Sequence, residues 1–218
     1  MKELLVSLLL LCATLGNAKP LHNFQFSEFG RQWTTDSGGA PGPGSFSPSH
    51  VTPSSMGITL TLTETSSGSI VGGEVRTLDR YGYGTYQWTE TVSQVVSGQV
   101  SAGFLYYNNS TTEIDFEQEG NLPSTFWLSN WTSVSTHEAS PVCCYAATAT
   151  HVMRMLWNPG EIDYYIDGAL VAVHTQYVPS VAAYFIFNFW GTNSVNWGGL
   201  ITPGTRYFTI TRFTYTAL

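Results

Sequence analysis

The feature that most constrains this chain is the stretch at residues 113–117, Glu-Ile-Asp-Phe-Glu, in which acidic and apolar residues alternate without a break. A period of two is the period of a β-strand, so Ile114 and Phe116 are predicted to face a core. The opposite face then carries three carboxylates, those of Glu113, Asp115 and Glu117. Like charges in a row repel one another and oppose folding, so this acidic face needs an explanation.

The spacing of the acids suggests a chemical role. Glu113 and Glu117 lie four residues apart, so their Cα atoms are roughly 13 Å apart at about 3.3 Å per residue. An extended Glu side chain reaches on the order of 4 Å from its Cα, given bonds of about 1.5 Å. Two side chains that lean together therefore bring their carboxyls to roughly 5–6 Å, near the about 5–5.5 Å of retaining glycosidases. Asp115 lies between them, and one acid of such a trio is expected to keep its proton to higher pH.

Three interpretations of the acidic face follow from the spacing alone. The acids could form a solvated strand face, they could supply oxygen ligands for calcium, or they could act as the acid and the nucleophile of retaining glycoside hydrolysis. The rest of the chain bears on the choice among them.

The stretch resembles the E-x-D-x-E signature of glycoside hydrolase family 16, which includes bacterial lichenases, laminarinases and plant xyloglucan endotransglycosylases. Flanking segments that resemble the same family follow in order over residues 72–199. The resemblance implies that Glu113 is the nucleophile, that Glu117 is the acid and then the base, and that Asp115 hydrogen-bonds the nucleophile. It also implies a concanavalin-like β-jelly roll, an all-β sandwich of two antiparallel sheets with substrate lying across the concave sheet.

The segments before and after the signature supply candidate substrate-binding residues. Arg76, which precedes a Tyr-Gly-Tyr-Gly turn, resembles the family Arg that borders the cleft, although a structural ion pair is the alternative. Phe104 and Tyr106 share one face of a predicted strand and resemble the aromatic residues that line the cleft, with core packing as the alternative for Phe104. Asn130 resembles an Asn of the neighbouring strand, although a one-residue slip would put Ser129 or Trp131 in its place.

Three further candidates lie near the C-terminus. Asn188 and Trp190 in Asn-Phe-Trp-Gly, and Trp197 in Asn-Trp-Gly, resemble a lichenase segment. The indoles of Trp190 and Trp197 are candidate stacking surfaces for sugar rings, with burial in the core as the alternative. A second acidic stretch at Glu161-Ile162-Asp163 echoes the signature but leads into tyrosines, and it is interpreted as structural.

Composition agrees with an all-β chain that acts on an uncharged polymer. Charged residues make up 11% and aromatic residues 14% of 218 residues, and no stretch shows a helical period. The net charge of −7 argues against nucleic acid as a partner. Alternation predicts strands at residues 24–29, 57–63, 99–107, 124–133 and 207–215, turns at residues 158–160 and 167–168, and a loop at residues 37–53.

The N-terminus is typical of a signal peptide. Lys2, a short apolar run and a small-residue site ending at Ala18 predict cleavage after residue 18 and a secreted domain at residues 19–218. We expect a monomer without membrane association after cleavage. Cys12 would leave with the signal, and Cys143 and Cys144 would either form a strained vicinal disulfide or stay reduced.

These observations predict a secreted retaining endo-β-glucanase acting on β-1,3-1,4- or β-1,3-glucan. No metal or cofactor is expected: the spacing of the cysteines is not that of a zinc site, and the last strand lacks the Asp with which relatives often bind calcium. Two alternatives remain, a transglycosylase that uses the same acids and a non-catalytic, lectin-like glucan-binding module.

Overall fold

The computed structural model describes residues 23–218, so the predicted signal peptide and Cys12 lie outside the described residues. Within that range the chain forms β-strands and a single 3-10 turn at Pro48–His50, and no α-helix. The strands are β1 Gln25–Glu28, β2 Arg31–Thr35, β3 Gly38–Gly39, β4 Ser45–Phe46, β5 Val51–Ser54, β6 Gly57–Glu64, β7 Ile70–Tyr81, β8 Gly84–Val92, β9 Gln99–Tyr107, β10 Thr112–Glu119, β11 Thr125–Ser133, β12 Thr136–Cys143, β13 His151–Asn158, β14 Glu161–Ile166, β15 Ala169–His174, β16 Ala183–Gly191 and β17 Gly204–Ala217.

The strands form two layers. The front sheet has the order β1-β2-β7-β16-β9-β10-β11-β12, and every neighbouring pair in it is antiparallel. The back sheet has the order β15-β14-β13-β8-β17-β6-β5, again antiparallel. Strand β7 joins the layers, because its first residues pair with β6 and its later residues pair with β16. The predicted two-sheet, jelly-roll-like sandwich is confirmed.

Aromatic side chains fill the space between the sheets. Trp88 of the back sheet lies edge-on to Phe116 and to Phe185 of the front sheet, with 5.2 Å between ring centroids in each pair. Phe116 also packs against Tyr164, again at 5.2 Å. Edge-to-face pairs of this kind add about 0.5–1.5 kcal/mol each beyond the area that they bury.

The period-two prediction held for most strands. The strand expected at residues 99–107 is β9, that at residues 57–63 is β6, and that at residues 124–133 is β11. The turns also form as expected, since Asp167 and Gly168 both adopt positive φ, as a tight hairpin requires. The loop expected at residues 37–53 instead contains β3, β4, the 3-10 turn and the start of β5.

No helix in the described range has the length and apolar character to cross a membrane.

Gly103 in β9 provides a test of how tightly the sheets pack. A Cβ atom at this position would lie 2.8 Å from Cζ2 of Trp88 and 3.0 Å from Cε1 of Phe187. We expect Gly103→Ala to lower the free energy of unfolding by about 1–3 kcal/mol, the usual cost of overpacking a core. Urea unfolding followed by Trp fluorescence measures the change. Gly82→Ala, at a site with open space around the added carbon, is the control; equal midpoints for the two variants would contradict this account.

Candidate active site

The three carboxylates of β10, called here the acid row, lie side by side on the outer face of the front sheet. Their register places each between residues of β9 and β11: Glu113 between Tyr106 and Trp131, Asp115 between Phe104 and Ser129, Glu117 between Ala102 and Trp127. The three residues are only 4%, 2% and 8% exposed, respectively. The solvated-face interpretation therefore does not describe this strand.

Burial changes the ionisation of every member of the acid row. It raises the pKa of Glu113 to about 7, against a weaker opposing effect of Ser110. It raises the pKa of Glu117 to about 8, with repulsion from Glu113 and Glu119 adding to the effect. The pKa of Asp115 is raised well above its ordinary value by burial and then by repulsion from both glutamates. The row therefore keeps protons to higher pH than ordinary carboxyl groups do, and repulsion from Glu113 and Glu119 adds to this effect at Glu117.

Asp115 has two hydrogen-bond donors on β11 that the sequence analysis did not assign. Its Oδ2 accepts a hydrogen bond from Ser129 Oγ and a second one from Trp131 Nε1 at 3.1 Å. The backbone oxygen of Ser129 accepts a hydrogen bond from Tyr164 Oη at 2.9 Å. The sequence analysis names Ser129 and Trp131 only as alternatives to Asn130 on the cleft face.

The structure shows a register one residue away from the predicted one. The prediction that Asn130 lies in the cleft was therefore wrong. Asn130 pairs with Ile114 and therefore faces the core, where it is fully buried. Its Oδ1 lies 2.6 Å from His174 Nδ1, and its Nδ2 donates to the backbone oxygens of Gln176 and Tyr177. Because neighbouring residues of a strand face opposite ways, Ser129 and Trp131 occupy the cleft face instead.

A cavity of about 400 Å³ lies on the β9, β16 and β7 side of the acid row, and Tyr106, the register partner of Glu113, is one of its lining residues. Its lining residues are Asp36, Glu74, Arg76, Tyr106, Tyr107, Asn108, Tyr184 and Ile186. Arg76 forms the ion pair that was the alternative interpretation: its Nε lies 2.9 Å from Asp36 Oδ2. Its guanidinium also lines the cavity, 4.9 Å from the ring centroid of Tyr184. Tyr106 lines the same cavity.

Glu74 is a further, half-buried acid of this cavity that the sequence analysis did not single out. Its Oε2 accepts a hydrogen bond from Asn188 Nδ2 at 3.1 Å, which places the predicted Asn188 on the cleft face. Burial, with repulsion from Asp36, raises the pKa of Glu74 to about 8. Glu74 lies two residues before Arg76 on β7, so strand alternation alone was enough to place both on one face.

The two predicted stacking residues, Trp190 and Trp197, are buried. They are 4% and 5% exposed and pack with Ala40, Phe46 and Val100 in a second apolar cluster, separate from the main core. Residues 37–46 cause this burial by folding over Trp190: a Cβ at Gly42 would lie 3.0 Å from its ring. Neither indole presents an open face for a sugar. Phe104, by contrast, is half-buried on the cleft face beside Asp115.

Within residues 23–218 no group of three or more His, Cys, Asp or Glu side chains is arranged to hold a metal ion. Cys143 and Cys144 are both exposed and unpaired, at the end of the edge strand β12.

Solved structures with the same architecture establish the class of fold. The β-glucanase of Bacillus licheniformis superimposes with a TM-score of 0.78 over 92% of this chain and 100% of its own, at 24% sequence identity. The laminarinase catalytic domain of Thermotoga maritima superimposes with a TM-score of 0.74 over 92% of this chain and 98% of its own, at 12% identity. At these identities the likeness defines a two-sheet β-sandwich and no more.

Sequence comparison identifies the family. The model for "Glycosyl hydrolases family 16" matches residues 44–202, and the chain belongs to this family. A β-glucanase of Bacillus licheniformis is 30% identical over 71% of this chain and 68% of its own length. A β-glucanase of Paenibacillus polymyxa is 31% identical over 64% of this chain, and the match spans 61% of that protein.

The raised pKa values make a prediction about stability. A carboxyl group whose folded pKa exceeds its unfolded value binds more protons in the folded state, so the free energy of unfolding falls as pH rises between the two values. Since the pKa values of Glu117 and Glu74 are raised from the ordinary 4.5 to about 8, stability is expected to fall from pH 5 to pH 8. We expect Glu117→Gln to flatten this slope and to raise the free energy of unfolding at pH 8 by a few kcal/mol, since each pKa unit corresponds to about 1.4 kcal/mol.

Urea unfolding at several pH values measures this effect. Glu161→Gln, which removes an exposed carboxylate at the start of β14, is the matched control. A Glu117→Gln variant with the wild-type slope would show that Glu117 titrates alike in the folded and unfolded chains.

Proposed function

We propose that this protein is a retaining endo-β-glucanase and that the acid row is its catalytic centre. The observation that carries the proposal is the burial of three carboxylates on one strand, which raises the pKa of all three. Membership of glycosyl hydrolase family 16 and the β-glucanase relatives support the same reaction.

Each glutamate has a distinct part in the proposed reaction. The Glu113 carboxylate attacks the anomeric carbon while Glu117 gives its proton to the departing glycosidic oxygen, so that the C–O bond breaks as a glycosyl ester forms. Glu117, now ionised, takes a proton from water, and the resulting hydroxide displaces Glu113 from the sugar. Asp115 hydrogen-bonds the nucleophile. The raised pKa of Glu117 suits the residue that must begin as an acid.

The proposed substrate is an uncharged β-glucan with β-1,3-1,4 or β-1,3 linkages. The cavity beside the acid row combines three tyrosines, Tyr106, Tyr107 and Tyr184, with the ionic groups of Asp36, Glu74 and Arg76. Ring faces pack on apolar sugar faces, and the ionic groups can hydrogen-bond hydroxyls. Relatives named β-glucanase, and one named endo-1,3-1,4-β-glycanase, support this class of polymer.

We also propose that the protein is exported and acts as a monomer outside the cell. Residues 1–18 supply the signal, and cleavage would leave Lys19 as the first residue. N-terminal sequencing of protein recovered from the culture medium tests the export; a chain that keeps Met1 and stays with the cells would contradict it.

The proposed reaction is tested by replacing the nucleophile. We expect wild-type protein to release reducing sugar from barley mixed-linkage glucan or from laminarin, and Glu113→Gln to lower kcat by at least about a thousandfold, since the change keeps the shape but removes the attacking charge. Glu161→Gln, in the second acidic stretch, is the control and should retain full activity. Equal activity of Glu113→Gln and wild type would remove Glu113 from the mechanism.

The products distinguish the proposed reaction from its alternatives. Proton NMR of the first product should show the β-anomer at the new reducing end, as retention requires. Oligosaccharides longer than the added substrate would identify a transglycosylase. Glucan binding without any bond cleavage in the wild-type protein would identify a non-catalytic binding module.

The pH dependence of catalysis gives a further test. The profile of kcat/KM should be bell-shaped, because it requires ionised Glu113 and protonated Glu117. Since burial raises the pKa of these residues to about 7 and about 8, the optimum is expected in the neutral range and not near pH 4–5. The two limbs belong to the coupled pair, so the measured quantity is the position of the optimum. An optimum below pH 5 would show that water reaches the acid row in solution.

A further inference from the structure

Two buried residues of β11, Ser129 and Trp131, form a closed set of hydrogen bonds with Asp115. Trp131 Nε1 lies 3.1 Å from Asp115 Oδ2 and 3.0 Å from Ser129 Oγ. Ser129 Oγ is hydrogen-bonded to the same Oδ2. The three residues are at most 5% exposed, so bulk water does not compete for these groups. Neither Ser129 nor Trp131 has a part in the reaction as proposed above.

The chemistry of the donors fixes where the protons lie. An indole N–H can only donate, so Trp131 donates to both oxygen atoms. A serine hydroxyl has one proton, and Asp115 Oδ2 is the acceptor bonded to Ser129 Oγ among the residues that the structure describes. A buried hydroxyl that donates to nothing is costly, so this proton goes to Oδ2. Oδ2 therefore accepts two hydrogen bonds and carries no proton.

We propose that Ser129 and Trp131 act as a clamp that reserves Asp115 Oδ2 as an acceptor, so that Asp115 carries its proton on Oδ1 and donates it in a hydrogen bond to the nucleophile Glu113. The clamp rests on the proposed function, since it specifies how Asp115 serves the nucleophile. Ser129 and Trp131 are positioning residues, because they act on the reaction only through Asp115.

The hydrogen bonds of the clamp are the main interactions that stabilise the ionised form of Asp115. On its own strand Glu113 and Glu117 both raise its pKa, whereas the hydrogen bonds from Ser129 and Trp131 lower it. Tyr106 of β9 lies across from Glu113, and Phe104 lies across from Asp115 itself.

Two further titratable groups adjoin the clamp. Tyr164 of β14 donates to the backbone of Ser129, and its own pKa is raised by burial and in part by Asp115. His137 of β12 stacks on Trp131 with 3.8 Å between ring centroids, and burial lowers its pKa. None of the groups that shift the pKa of Asp115 is a cation.

Loss of the clamp has two consequences with a defined direction. Asp115 loses donors to its ionised form, so its pKa rises further. Its carboxyl group is then free to rotate, so Glu113 loses a directed donor and its pKa rises as well. Since the acid limb of kcat/KM reports ionisation of the nucleophile, this limb moves to higher pH.

The experiment compares Ser129→Ala and Trp131→Phe, which each remove one donor of the clamp, with Ser129→Thr, which keeps the hydroxyl. Ser133→Ala is the control on the same strand, since the hydroxyl of Ser133 contacts the hydroxyl and the backbone N–H of Ser135 and lies outside the clamp. In Ser129→Ala and Trp131→Phe we expect the acid limb of kcat/KM to move to higher pH by about one unit. At pH values below this limb, kcat/KM then falls about tenfold. Ser129→Thr and Ser133→Ala should keep the wild-type limb. A residue that served only stability would lower yield or kcat without moving the limb.

A second measurement does not depend on turnover. In protein labelled with ¹³C at Asp carboxyls, the resonance of Asp115 is assigned by its loss in Asp115→Asn and titrated with pH. Its pKa should rise by about one unit in Ser129→Ala and Trp131→Phe. Unmoved titration and an unmoved acid limb in both variants would overturn the clamp.

The two measurements separate the clamp from the proposed function. If wild-type protein hydrolyses no glucan but the Asp115 titration moves as expected, the proposed reaction is wrong, the hydrogen-bond clamp stands as a feature of the fold, and its role toward a nucleophile is overturned. If glucan is hydrolysed but neither measurement moves, the reaction stands and the clamp is wrong. Should Ser129→Ala fail to fold, Trp131→Phe, which keeps a ring against His137, decides the question.

Discussion

The position of the acid row depends on the packing of the opposite face of the same strand. Phe116 lies between Trp88 and Tyr164 of the back sheet, at 5.2 Å from each ring centroid. Full burial of such a side chain stabilises the fold by about 1.5–3 kcal/mol. Because successive residues of a strand alternate in direction, the register that buries Phe116 also directs Asp115 and Glu117 to the outer face. Hydrophobic packing of Phe116 therefore keeps the three carboxylates side by side despite their mutual repulsion.

The same burial is costly to the folded state and useful to a reaction. A carboxylate that is 2–8% exposed has lost most of its hydration, and the pKa values of the row rise as a result. In the proposed reaction, an acid and an ionised nucleophile then coexist near neutral pH on one short strand. Sites of this kind reduce stability in exchange for activity, which is the usual relation between the two in enzymes.

Much of the fold could be predicted from the sequence, because alternation is a local property. Strand β9 matches its predicted span, and the shared face of Glu113, Asp115 and Glu117 follows from spacing alone. The error at Asn130 was avoidable, since Phe126 and Leu128 on the same strand already mark the core face. The burial of Trp190 could not be predicted in this way, because it depends on residues 37–46, which are distant in the chain and follow no period.

The burial of Asn130 has a practical consequence for producing the protein. Asn130-Trp131-Thr132 is an acceptor sequence for N-linked glycans in a eukaryotic secretory pathway. The amide nitrogen of this Asn is already bonded to two backbone oxygens, so a glycan there and a native β11 exclude each other. Attachment to the nascent chain would keep a bulky, hydrophilic group at a position that must enter the core. Expression in a host without N-glycosylation, or with Thr132 replaced, removes this competition between modification and folding.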